Sequence, residues 1–336
     1  MADAVREVVA AAMAQAGAPQ PFTAYAPSNI ALAKYWGKRD AVRNLPLSSS
    51  LSISLNEWGS RTTVAPSASG ADEVILNGDV LPGASAFAAK VTKFADLFRG
   101  DRAIPLRVET HNTVPTAAGL ASSASGFAAL TKALCGCFGL PLTPPQMSMV
   151  ARVGSGSAAR SLWHGFVRWN RGDALDGSDS HGVPLNGVWP EFRIAIVKVD
   201  TKPKAKSSRD GMDHTRDTSP LFGAWPAQAE ADCGAVERAV LDRDFVALGE
   251  QAEGNALMMH ATMQAARPSL CYLTSRTWAA LERLWRMRAD GLQAFATMDA
   301  GPNLKLIFLE PSTADFLAAF PEAEVVEPFA AKANAS

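Results

Sequence analysis

The chain has 336 residues, 48% of them hydrophobic, enough for two domains or one large one with ample core. Its 32 Lys and Arg against 33 Asp and Glu leave a net charge of −1, which removes any global electrostatic reason to expect nucleic-acid binding. No run of about 18 apolar residues occurs, so no membrane span is expected, and the four cysteines lack metal-ligand spacing and read as reduced thiols of a cytoplasmic protein.

The Ala-rich stretch Met1 to Gly17 carries Asp3, Arg6 and Glu7 at its start, which argues against a signal peptide and for a surface helix. Residues 22–80 are β-rich: Ser50 to Leu55 alternates cleanly, and Arg61 to Ala65 and Glu73 to Leu76 add short strands. Ala84 to Phe98 reads as an amphipathic helix, and Ile104 to Thr110 as a strand leading into a loop of small residues. Helices follow from Ser122 to Phe138 and from Pro144 or Pro145 to about Gly154, since proline is tolerated in a first helical turn. Gly165 to Trp169 is a short strand, and the Gly/Asp/Ser-rich stretch Arg171 to Gly187 makes a domain joint. Beyond it the pattern predicts a strand over Phe192 to Val199, helices within Ala227 to Met263 and Ser269 to Ala289, and strands Ala294 to Met298 and Leu304 to Leu309. Strands and helices without regular βαβ alternation predict an α+β fold of helix-covered sheets.

Four segments carry chemistry. The loop Pro115 to Gly126 runs small residues and hydroxyls into a helix start, where N–H groups and the helix dipole favour an anion; a plain capped helix would explain the same serines. It holds no Lys, which argues against a Walker-type loop. Asn29 to Asp40 places Lys34 and Lys38 four apart, on one face in either a helix or a strand, and like charges on one face cost energy unless an anion lies between them. The alternative there is a solvated basic turn with a buried Trp36. Gly154 to Ser161 sets hydroxyls among glycines beside Arg160, as an oxyanion site or as a helix-to-helix turn that leaves the Arg unexplained. Asp299, before Gly301 and Pro302, is an acid at a strand edge or an Asx-turn residue. The run Lys202 to Met212 reads, taken alone, as a solvated loop. The five histidines show no pairing and read as loop or packing residues.

Together these segments, with Leu45 to Ser52, resemble the GHMP kinase superfamily and, within it, the ATP-dependent decarboxylases typified by diphosphomevalonate decarboxylase, in the family's order from about residue 22 to 320. The resemblance implies a GHMP kinase-like two-lobed fold, with an N-terminal extension over residues 1–21, an ATP-binding lobe over 22–187 and a C-terminal lobe over 188–336. It implies ATP and Mg²⁺ held at Pro115, Ala118, Gly119, Ala121, Ser122 and Ser123, with Ser122 or Ser123 touching the metal. Tyr35, Trp36, Lys38, Ser155, Gly156, Ser157, Arg160 and Ser208 match substrate-binding positions, and Asp299, Lys34, Arg160 and Asn29 match catalytic ones. The implied reaction converts (R)-5-diphosphomevalonate to isopentenyl diphosphate with release of ADP, phosphate and CO₂. Phosphomevalonate decarboxylation, mevalonate 3-kinase action and a non-catalytic regulatory role are the alternatives, and a cytoplasmic homodimer is the implied state.

Val153, Trp163-His164-Gly165, Ser48 and Arg168 depart from the family's usual pattern and are expected near the substrate end.

Overall fold

The computed structural model describes residues 3–100, 102–113, 122–200 and 206–330. Of the positions expected to bind ATP, Pro115, Ala118, Gly119 and Ala121 lie outside the described residues. In chain order come α1 (Ala4–Met13), β1 (Phe22–Ala33), β2 (Lys38–Asp40), β3 (Leu45–Pro46), β4 (Ser50–Pro66), β5 (Glu73–Leu76), β6 (Asp79–Val80), α2 (Ala86–Arg99) and β7 (Leu106–Asn112). Helices α3 (Ser122–Phe138) and α4 (Pro144–Gly154) follow, then a 3₁₀ turn (Gly156–Arg160), β8 (Phe166–Trp169) and β9 (Gly182–Pro184). The remainder runs β10 (Phe192–Val197), α5 (Ser208–Thr218), α6 (Trp225–Asp242), α7 (Phe245–Gln264), α8 (Ser275–Ala289), β11 (Ala294–Met298), β12 (Leu304–Leu309), α9 (Thr313–Ala319) and β13 (Glu324–Val326).

The α+β expectation holds, in two main sheets. The first has the order β6-β5-β7-β4-β8-β9, with β1 also paired to β4; the second has the order β11-β12-β10-β13. The 17-residue β4 is the spine of the first sheet: its residues Ser60 to Pro66 pair with β7, Ser50 to Ile53 pair with β8, and β1 runs antiparallel along both parts. Register shifts interrupt β1 between Pro27 and Asn29 and again between Ala31 and Ala33. A proline cannot donate to the ladder, and a bulge re-aims the next side chains; here they are Asn29 and Lys34.

Three cores flank these sheets. Helices α1 to α4 cover the first sheet through Phe94, Phe98, Phe127 and Leu134. A second core packs Ile30, Leu51, Ile53 and Phe166 of the first sheet against Phe192, Val236, Leu248 and Phe295 of the later elements, so the two sheets share buried residues. The third lies on the second sheet, with Leu281 and Leu284 of α8 and with Phe316 stacked on Phe308 on one side and on Phe320 on the other. Helix starts follow local signals: α4 has a Thr143/Gln146 capping box and a first-turn proline, and α8 a Thr274/Thr277 box.

Helix α1 is the expected surface helix, with Arg6, Glu7, Ala10 and Ala11 exposed, and its opposite face is built into the first core through Val5, Val9 and Met13, each stabilising the fold by about 1.5–3 kcal/mol relative to exposure. Other expectations are refined. The 171–187 stretch contains β9, an edge strand of the first sheet, and its loop is held by Arg152, whose guanidinium donates to the carbonyls of Gly177 and Ser180. The basic segment is a loop only in part, because Ser207 caps α5 and places Ser208 in its first turn. Helix α9 and β13, unmarked by clear periodicity, close the second sheet's edge.

Candidate functional site

A cavity of about 650 Å³ opens where the end of β1, the 3₁₀ turn, the start of α5, α7 and the β11–β12 turn converge. Its walls bring together Asn29, Lys34, Tyr35, Trp36, Lys38, Ser155, Gly156, Ser157, Arg160, Ser208 and Asp299, with Ser123 at the rim. These positions span 270 residues of sequence, so only the fold joins them.

Asp299, just past β11, is clamped between two buried lysines: Lys34 Nζ is 3.0 Å from Oδ1, and Lys305 Nζ is 3.1 Å from Oδ2. Burial by itself would push the carboxyl up, but Lys305 and Lys34 outweigh it and hold Asp299 well below the usual carboxylate range. Burial lowers Lys34 to about 8, partly opposed by Asp299. Lys34 also donates to the Ala31 carbonyl at 2.8 Å, and its backbone N–H donates to Asn255 Oδ1 at 2.8 Å; Asn255 is anchored in turn on Asp232. The Asp299 side chain keeps 40% of its surface open, so a substrate hydroxyl can reach it.

Arg160 is 2% exposed and pairs with no carboxylate among the described residues. It donates to Ser50 Oγ at 2.5 Å and to Asn29 Oδ1 at 3.4 Å, and its Nε has no partner. Burial lowers it to about 10, partly opposed by Asp299 across the cavity. A buried guanidinium with no carboxylate in contact is costly and favours a bound anion. Asn29 is fixed by donating to Ser161 Oγ at 2.7 Å and to the Ser157 carbonyl at 3.2 Å.

At the other end, the Tyr35 hydroxyl is buried without a hydrogen-bond partner, and burial pushes its pKa up, so it is a neutral donor. Its ring packs edge-on to Trp169, 4.8 Å between centroids. Glycine is required at 156, where a Cβ would lie 2.7 Å from that ring. Gly37, at φ +117°, turns the chain between Trp36 and Lys38 with Phe222 and Leu47 pressed against it. Lys38 is lowered by burial and by Arg209, partly opposed by Asp213, so cations outnumber acids around it.

Sequence reasoning did not single out several residues in the cavity wall or directly behind it. Lys305 stands alone in an apolar strand, LKLIFL, a buried-strand cation that could have been flagged. His260, read as a packing residue, is indeed buried on α7; its Nε2 donates to the Asp299 carbonyl at 3.1 Å, and burial, with Lys34 beside it, lowers it to about 4. Lys90 on α2 and Arg209 line the same cavity. Conversely, Arg168 lies away from it, paired with Glu230 and Glu237 on α6, Ser48 is buried outside the lining, and Trp163 packs on the first core. Val153 borders an adjoining cavity.

Ser123, exposed in the first turn of α3, lies 3.3 Å from Ser155 Oγ. Below, a Ser28–Ser125–Ser60–Asn112 hydrogen-bond chain ties α3 to the sheet. Ser123 also borders a smaller cavity of about 130 Å³ with apolar walls from Leu76, Phe87, Val91 and Leu130. Among the described residues no group of three His, Cys, Asp or Glu could hold a metal, and no helix is long and apolar enough to cross a membrane.

Comparison with known proteins agrees along nearly the whole chain. Residues 26–182 match the profile of the diphosphomevalonate decarboxylase-like N-terminal domain, and 194–333 that of the mevalonate 5-diphosphate decarboxylase C-terminal domain. The diphosphomevalonate decarboxylase of Aspergillus fumigatus is 40% identical over 309 residues, which cover 86% of this chain and 76% of that protein. The crystal structure of mevalonate diphosphate decarboxylase from Staphylococcus aureus superposes with a TM-score of 0.86 at 32% identity, covering 92% of this chain and 95% of that one. A structure described as "MDDEF in complex with MVAPP, AMPPCP and Magnesium" does so at 0.84 and 36% identity, covering 92% and 98%.

Proposed function

The chain belongs to the diphosphomevalonate decarboxylase family, and from that premise we propose how its residues perform the ATP-dependent decarboxylation of (R)-5-diphosphomevalonate to isopentenyl diphosphate. The observation that carries the proposal is the pairing, in one cavity, of a carboxylate clamped by two lysines with a buried guanidinium that lacks a counter-ion.

A 3-hydroxy acid has no carbonyl to receive electrons as CO₂ leaves, and hydroxide is a poor leaving group. Magnesium-bound ATP supplies the phosphoryl group that turns the tertiary hydroxyl into one able to depart. Asp299 accepts the hydrogen bond of that hydroxyl and orients it for attack, taking up its proton as the oxygen–phosphorus bond forms. Lys34, beside Asp299, offsets negative charge on the transferred group. Arg160 holds the substrate carboxylate with two parallel N–H bonds, keeping the carbon–carbon bond aligned as phosphate departs and the alkene forms. Lys38, Lys90, Arg209, Ser157 and the Tyr35 hydroxyl suit the diphosphate end.

The residues present fit a magnesium nucleotide. The N-terminus of the 17-residue α3, with Ser123 exposed and Ser155 beside it, offers hydroxyls and a favourable dipole to the phosphates. With no acidic cluster among the described residues, the metal would arrive on the triphosphate, with Ser122 or Ser123 as its protein contact. The apolar cavity under Phe87 and Leu76 suits the base. A cytoplasmic homodimer belongs to the same reading, and light scattering of the purified protein tests the assembly.

The experiment is ATP turnover with mevalonate, 5-phosphomevalonate and 5-diphosphomevalonate, following ADP, phosphate and CO₂ together. Stoichiometric release of all three with the diphosphate alone is expected. The same products with the monophosphate alone, or ADP without CO₂, would overturn the assigned substrate or the decarboxylation step.

A further inference from the structure

A second cavity, of about 400 Å³, adjoins the first and shares Asn44, Lys90 and Arg209 with it. Its outer wall is α1, which contributes Val5 and Arg6 and lies ahead of residue 26, where the family match begins. The helix is thus an addition to the matched domain, and it is firmly seated rather than loosely appended, because Val5, Val9 and Met13 are buried.

The charge of this compartment is unbalanced. Arg6 is paired with Asp3 at 3.7 Å and Arg43 with Asp40 at 2.7 Å, whereas Lys90, Lys93 and Arg209 have no carboxylate partner among the described residues. Lys90 stands 4.5 Å over the Phe127 ring, and burial, together with Arg209 and Lys38, lowers it to about 8. Cations that repel one another around an open space favour an oxyanion between them. The rest of the lining is apolar: Phe94, Leu97 and Val153 form a floor that phosphate alone would not use.

We propose that α1 builds a second ligand site onto the decarboxylase, one that takes a small organic diphosphate with its phosphates on Lys90, Lys93 and Arg209 and its apolar portion on Phe94, Leu97 and Val153. Because Lys90 and Arg209 face both cavities, an occupant here draws them from the diphosphate end of the substrate. The coupling between the sites is negative and reciprocal.

Calorimetric titration of the full chain with n-hexyl diphosphate and with inorganic diphosphate tests this without relying on turnover, so its failure leaves the decarboxylase assignment standing. Two equivalents of n-hexyl diphosphate are expected, the second bound at least tenfold more tightly than inorganic diphosphate. Lys93→Ser and Lys93→Glu, at an exposed position outside the first cavity, are each expected to weaken the second equivalent tenfold or more and leave the first unchanged. In turnover, n-hexyl diphosphate raises the KM of the organic substrate in the parent through both sites, and this effect shrinks in Lys93→Ser. A single equivalent, or two equivalents both insensitive to the substitutions in a protein of parental thermal stability, would overturn the proposal. Equal affinity for the alkyl and inorganic diphosphates would overturn the assigned apolar contact.

Discussion

Replacing Lys305 by Met removes one of the two cations that clamp Asp299 while keeping the bulk of a side chain that is only 2% exposed. At the observed 3.1 Å, two unit charges interact by about 5 kcal/mol at an effective dielectric constant of ~20. The 40% exposure of Asp299 to the cavity screens this, leaving about 2–3 kcal/mol. The freed Oδ2 lets the carboxylate rotate away from the hydroxyl it orients, and a misplacement of that kind costs about 10²-fold in rate, so kcat falls by about 10- to 100-fold with KM for the organic substrate within twofold. Lys305→Arg, which retains a cation, recovers most of the parental kcat. The assay is steady-state ADP release at saturating ATP, with thermal melting as a control for folding. A Lys305→Met enzyme with parental kcat and parental melting temperature would refute the clamp as the source of Asp299's orientation.

Four further outcomes are expected. Asp299→Asn lowers kcat by several orders of magnitude and barely changes substrate affinity; equal losses in both would argue for a binding role instead. Arg160→Met removes a buried, uncompensated guanidinium, so the melting temperature of the ligand-free protein stays level or rises while kcat/KM drops at least 10³-fold; a marked loss of stability would show Arg160 to be a structural strut. Gly156→Ala forces a Cβ to within 2.7 Å of Tyr35, an overpacking of about 1–3 kcal/mol that raises substrate KM more than it lowers kcat, as initial rates would reveal. With Lys34 lowered to about 8, kcat/KM declines through a basic limb near that pH. Over the same range the sign for stability is opposite: the unfolded lysine binds its proton up to about 10.5, so Lys34's contribution to folding stability rises from about pH 8 to 10.5. Lys90 titrates in the same range, so a limb that persists in Lys34→Arg and vanishes in Lys90→Arg would reassign it.

Much of the fold was legible locally. Alternation marked the Ser50 to Leu55 part of β4, a first-turn proline marked α4, and the largely apolar segments of β10 and β11 marked strands, because those signals act over a few neighbouring residues. Helix α1 was legible as a surface helix, but not what covers its apolar face of Ala, Val and Met, since that face packs on α2 and α4, which lie more than 70 residues away in sequence. The α5 start was obscured by a basic run whose composition resembles a solvated loop.

The site divides in the same way. Residue types with an unusual local signature, Lys34 and Lys38 beside aromatics, Arg160 among glycines and serines, and Asp299 ahead of Gly301 and Pro302, stood out in one dimension because their chemistry is concentrated within a few positions. His260 and Lys90 carry no such signature, Lys305 shows only as a lone cation in an apolar strand and Arg209 only as part of a basic run, and each matters through what the fold sets beside it. Electrostatic character is likewise a tertiary property: Asp299 is held strongly acidic and Lys34 lowered to about 8 because desolvation and charges up to 271 positions apart in sequence act within a few ångströms. The sequence by itself determined which residues could bind phosphate, grip a carboxylate or move a proton. Only the tertiary structure decided which of them face one cavity, which cations are left without partners, and that the first helix walls a second compartment, because burial and Coulomb interactions depend on distance through space and not along the chain.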